Sequence, residues 1–171
     1  YYLELVASDG AQRSIEPFLL QDTFTPAPDN SENNNSFGQA APLALDTSIP
    51  ANILPAGDRD WFVIDVSHHG ELQIAATEVP SDLAISMRVW TANKDTLTSW
   101  FAPLAAGGDT LATVDLPSPG QYYIEIAAAD GSQRDINSYL LSTQFRTAAD
   151  LGEPNNTCLL YTSVAADVLW C

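Results

Sequence analysis

The chain repeats itself, and this constrains it more than any single motif does. Residues 1–36 align with residues 122–157 without a gap, at a constant offset of 121. Tyr1-Tyr2-Leu3-Glu4-Leu5 meets Tyr122-Tyr123-Ile124-Glu125-Ile126, and Asp9-Gly10-Ala11-Gln12-Arg13 meets Asp130-Gly131-Ser132-Gln133-Arg134. Glu32-Asn33-Asn34-Asn35-Ser36 meets Glu153-Pro154-Asn155-Asn156-Thr157. Seventeen of these 36 positions are identical, where unrelated sequences of average composition would share roughly two. A recurrence of this kind marks a tandem array. It divides the chain into the last strands of a preceding repeat with its linker (1–28), one complete unit (29–149) and the start of the next (150–157). A recurring unit is usually a module of a larger protein rather than a solitary enzyme.

A 121-residue period is long enough to enclose one hydrophobic core, whereas the flanking pieces are too short to be domains. Apolar residues make up 46% of the chain, which excludes a disordered one. The net charge is −16 and Lys94 is the only lysine. This argues against nucleic acid or an anionic membrane as partner, since both require a basic surface. It favours cation binding, or solubility alone. No apolar run approaches 18 residues, so no membrane span is expected. No signal peptide stands at the start, and because the first residues fall inside a repeat, the true N-terminus is expected upstream.

Cys158 and Cys171 are the only cysteines. The period requires 158–171 to resemble 37–50, yet only Ala165 and Asp167 match their counterparts Ala44 and Asp46. Similarity stops after Thr157, and segment 158–171 is read as a sequence artefact rather than as part of the module. The module then has no cysteine and relies on its core, and on any metal, for stability.

Period-two alternation recurs and no helical period is sustained. In 61–66, Phe62, Ile64 and Val66 share a face opposite Asp65; in 83–90, Leu83, Ile85, Met87 and Val89 oppose Ser86 and Arg88. In 122–126, Tyr122, Ile124 and Ile126 oppose Glu125. Segments 71–78, 96–102, 109–116 and 137–145 also read as strands. Turn signals separate them, among them Ser67-His68-His69-Gly70, Pro80-Ser81-Asp82, Gly107-Gly108-Asp109 and Pro117-Ser118-Pro119-Gly120. The expected fold is all-β, an antiparallel sandwich. The stretch 25–36, rich in Pro, Asn and Asp, reads as the linker between units, and 1–24 as a surplus hairpin.

Two acidic clusters carry chemistry. One is Asp29-Asn30-Ser31-Glu32-Asn33-Asn34-Asn35 in the linker; the other is Gly57-Asp58-Arg59-Asp60, just before the Trp61 strand. Calcium takes six to eight oxygens from carboxylates, amide carbonyls and backbone. A polar linker and a tight acidic turn supply such oxygens from two directions. Asp and Asn are also favoured in turns and linkers for local hydrogen bonding, so both readings stand from the residues alone.

Together these elements resemble the bacterial pre-peptidase C-terminal domain family of secreted β-sandwich modules. The likeness rests on Asp29–Ser36 with its better-kept copy Asp150–Thr157, on Gly-Asp-Arg-Asp-Trp-Phe at 57–62, on Asp82–Ile85 and on Pro119–Ile126. It covers the whole unit. The resemblance implies a jelly-roll-like sandwich, extracellular (secreted or at the cell surface) and joined to other domains of the same polypeptide. It also implies a calcium site formed by Glu32, Asn34, Asn35, Asp58 and Asp60, with Asp29 as a further candidate. The central unit departs from the pattern in carrying Asn33 where the next copy keeps Pro154.

His68 and His69, the only histidines, read as a solvated turn, since adjacent residues at a strand end point to opposite sides. Neither a nucleophile elbow nor a zinc-helix motif accompanies them. Trp61, Trp90 and Trp100 with Tyr122 and Tyr123 offer aromatic surface for an extracellular glycan or matrix protein, or else pack on the sandwich. By strand parity Trp61 and Trp90 lie opposite the main apolar faces. The sequence thus reads as a non-catalytic repeat module acting in spacing, adhesion or targeting. A carbohydrate- or collagen-binding module is the alternative.

Overall fold

The computed structural model describes residues 2–8, 10, 13–14, 16–24 and 31–148. Among the described residues eight strands form: β1 (Ala41–Pro42), β2 (Ser48–Ala51), β3 (Arg59–Val66), β4 (Gly70–Thr77), β5 (Ile85–Thr91), β6 (Thr110–Leu116), β7 (Gly120–Ala128) and β8 (Tyr139–Thr147). A 3-10 turn at Phe37–Gln39 precedes them. One sheet has the order β1-β3-β7-β5 and the other β2-β8-β4-β6. Neighbours pair antiparallel, except the two-residue β1, which lies parallel to β3.

The alternation read from the sequence sets the layers. Phe62, Ile64 and Val66 of β3, Ile85, Met87 and Val89 of β5, and Ile124 and Ile126 of β7 point inward from the first sheet. Leu72 and Ile74 of β4, Val114 and Leu116 of β6, and Leu141 of β8 meet them from the second. Each fully buried aliphatic side chain of this kind contributes about 1.5–3 kcal/mol.

From β2 to β8 each successive strand crosses to the opposite sheet. The connections are short at one end: Ser67–His69 joins β3 to β4, and Pro117–Pro119 joins β6 to β7. That end also holds Thr147, which pairs with Gly70. At the other end lie Arg59, paired with Ala127, and Thr77, paired with Leu140. The linker arrives at this second end, where Trp61 N donates to Asn34 O at 2.8 Å. The sandwich therefore has a proximal pole, where the chain enters, and a distal pole, where it departs.

Two sequence expectations change. Segment 96–102 is no strand. It touches β5 only through isolated bridges, Trp90 with Thr96 and Met87 with Phe101, because Ala92–Asp95 turns the chain back without a continuous ladder. Short β1 and β2 were not foreseen, since two to four residues carry no readable period. In the leading segment the described residues form no strand, and Tyr2, Val6, Phe18, Leu19 and Phe24 are exposed. The linker residues 25–30, the copy 150–157 and the tail 158–171 lie outside the described residues.

Candidate metal centre

Parity places Asp60 on the same face of β3 as Phe62 and Ile64, so its carboxylate points inward at the proximal pole. It is fully buried, and its Oδ2 accepts the Tyr139 hydroxyl at 3.2 Å. Asp58, two residues earlier, ends the turn that Gly57 makes at φ 84°. Its Oδ1 accepts Arg59 N at 2.9 Å and its Oδ2 accepts Leu54 N at 3.2 Å. The turn is thereby fixed before any ligand arrives.

The linker brings the third carboxylate. Glu32 Oε2 accepts Asn34 N at 3.3 Å and Asn35 Nδ2 at 3.1 Å, which curls Glu32–Asn35 onto the pole. One ligand atom each from Glu32, Asp58 and Asp60 lies within 4.8 Å of the others. Asn34, two residues after Glu32, is fully buried, and among the described residues neither its Oδ1 nor its Nδ2 has a hydrogen-bond partner. An amide buried without partners costs about 1–3 kcal/mol. A cation accepting its carbonyl oxygen would offset part of that cost. The three carboxylates form an all-oxygen donor set, which suits a hard cation, and the Asn34 backbone meets the same strand at Trp61 N.

Of the six residues singled out from sequence, Glu32, Asp58 and Asp60 converge, and Asn34 adjoins them. Asn35 is exposed and turns its Nδ2 to Glu32 as a positioning group. Asp29 lies outside the described residues.

A second constellation covers the outer face of the first sheet. Glu125 is buried there and receives Arg59, Arg88 Nε at 2.7 Å and Trp90 Nε1 at 3.0 Å. The Arg88 guanidinium stacks 4.2 Å from the Trp90 ring centre and 4.4 Å from that of Trp100. Phe37 stacks on Tyr123 at 3.9 Å and meets Trp61 edge-on at 5.5 Å. Parity foretold Trp61 and Trp90 on this face. Tyr122 does not belong to it: it points into the core and donates to Ser118 O at 2.9 Å. The sequence reading missed Glu125 as a hub, although its isolation among apolar neighbours on β7 was the available signal. His68 is exposed in its turn, with Nδ1 2.8 Å from Ser67 Oγ.

Comparison with protein-family models and with curated proteins gave no match. Among solved structures, the chain is similar to the pre-peptidase C-terminal domain of a Bacillus anthracis collagenase. The identity is 16%, over 60% of this chain and 92% of that one, with a TM-score of 0.49. It is also similar to PliG, a periplasmic inhibitor of g-type lysozyme from Aeromonas hydrophila, at 12% identity over 61% and 96%, with a TM-score of 0.42. A carbohydrate-binding module of Cellvibrio mixtus lichenase 5A matches at 16% identity over 59% and 87%, with a TM-score of 0.34.

Proposed function

We propose that this chain is a non-catalytic, extracellular β-sandwich module of a repeated array, and that calcium clamps its linker to its proximal pole. The observation that carries the reading is the convergence of Glu32, from the linker, with Asp58 and Asp60 within 4.8 Å. Glu32, Asp58 and Asp60 would supply carboxylate oxygens and Asn34 an amide oxygen. Bound calcium would supply the positive charge that lets three carboxylates share one site. The linker would then be fixed at a defined angle, which suits a spacer or a presenter of neighbouring domains. Extracellular modules bind calcium at about 10⁻⁴–10⁻³ M, and the same range is expected here.

The array reading has its own support. Leu3 and Leu5 are exposed, whereas their counterparts 121 residues on, Ile124 and Ile126, are fully buried. The leading segment has the apolar pattern of β7 without a sandwich to fill.

A thermal melt of the full chain with calcium and with chelator tests the metal. At a hundredfold excess over the dissociation constant, calcium adds about 2.7 kcal/mol. The midpoint should rise by several degrees. Asp60→Asn should abolish the rise, and a rise that survives this change removes the site from the account.

A second reading, binding to an extracellular glycan or matrix protein, is favoured by Trp100, 39% exposed beside Arg88. Retention on glycan or matrix arrays that depends on Trp100 would support it; no retention by the folded chain counts against it.

A further inference from the structure

We propose that consecutive units dock end to end, the proximal pole of one copy seated in the groove at the distal pole of the copy before it. This rests on the array reading and is independent of the metal.

Chain length carries the argument. At the distal pole the last fixed residue is Ala148, whose N donates to His69 O at 3.2 Å. At the proximal pole Asn34 O accepts Trp61 N, and Glu32 is tied to Asn34 N, so the linker is held from Glu32 onward without an ion. The period of 121 puts the counterpart of Glu32 at Glu153. Only residues 149–152 separate Ala148 from Glu153. Five residue steps span at most about 17 Å, even fully extended. A four-stranded sheet is itself about 19 Å across, and two packed sheets add about 10 Å. Poles of that breadth, tethered within about 17 Å, meet on any appreciable tilt, so docking costs little chain entropy.

The distal pole has a place for the partner. A groove of about 450 Å³ is lined there by His69, Gly70, Glu71, Leu116, Arg146 and Ala148 among others. Ala148 forms part of the wall, so the chain departs from within the groove and delivers the next unit to it. Arg146 and His69 stand against Glu71 and Asp115 in this groove, which gives it mixed charge on an otherwise acidic chain. The proximal pole carries Glu32, Asp58, Asp130 and Asp135 against Arg59 and Arg134, a net acidic surface that complements Arg146. Stacked in this way, the outer faces of both sheets stay open along the array, and the Trp100–Arg88 surface recurs once per unit.

The test joins residues 1–157 to a second copy of 37–149, which keeps the native connection and period. Neither Cys158 nor Cys171 is included. Nitroxide labels go on Ser118→Cys at the distal pole of the first complete unit and on Gly131→Cys at the proximal pole of the second. Pulsed electron resonance in saturating calcium should give one narrow distance; a broad distribution overturns the proposal. Ala148→Trp in the first unit, or Thr147→Trp if that variant fails to fold, fills the groove and should broaden the distribution. An unchanged narrow distance in the blocked protein also overturns it, because the groove is then not the seat. The same tandem melted with chelator separates the two readings: a missing calcium shift removes the metal and leaves the narrow distance to stand or fall on its own.

Discussion

Single residues do different work on the two faces of one strand. Asp60 and Trp61 are neighbours, yet parity sends the carboxylate toward Tyr139 and the indole to the outer face beside Phe37. Glu125 gains its role the same way: between inward-facing Ile124 and Ile126 it must point out, under Arg59, Arg88 and Trp90. Removing one partner of a buried ion pair costs about 3–5 kcal/mol when both groups are buried. Arg59 is 52% exposed and can recover water, which lowers the figure. Glu125→Gln should therefore destabilise the fold by about 2 kcal/mol, read as a lower urea midpoint with an unchanged slope. A loss within error would make the cluster a surface decoration.

Elements depend on two kinds of local chemistry. The first is close packing at Gly70, where β4 starts against β8. A Cβ added there would lie 2.2 Å from Arg146 O, which is backbone of the paired strand. Gly70→Ala must push the β4–β8 ladder apart and should cost about 3 kcal/mol in a denaturant titration. The second is the β7–β8 connection, held by carboxylates that accept backbone N–H groups. Ser132 N–H holds the Asp130 carboxyl below its usual range, helped by the Ser132 hydroxyl. Asn137 N–H does the same for Asp135. A depressed folded pKa contributes stability that is present above the ordinary value of 3.8 and is lost as pH falls through the folded value. Stability should therefore decline below about pH 4. Asp135→Asn should flatten that decline, and a slope unchanged by the substitution would remove the connection as its source.

At the scale of the whole molecule, the β2-to-β8 crossing pattern decides how the unit closes. Strands from β2 onward alternate between the sheets, and β8 lies between β2 and β4, with Ala51 opposite Tyr139. Among the described residues, every strand and the whole hydrophobic core lie within 31–148. Deleting residues 1–24 should shift the melting midpoint by less than about 2 °C by calorimetry. A large drop would show that the leading segment packs on the sandwich. The chain enters this unit at the proximal pole and leaves it at the distal pole.

The period, the strand faces and the two acidic clusters were determined by the sequence alone. Alternation is local: Phe62, Ile64 and Val66 must share a face in any extended strand, and Asp58 and Asp60 must flank one turn. The repeat likewise needs no fold to be seen. Tertiary structure decided what these local choices could not. Bringing Glu32 to Asp58 and Asp60 depends on the linker crossing the end of β3, a contact between residues more than 20 apart that no spacing rule encodes. Burial of Asn34 and the partners of Glu125 depend on which sheet covers which face. Strand order settles that, because a side chain's surroundings are set by strands distant in sequence and not by its neighbours.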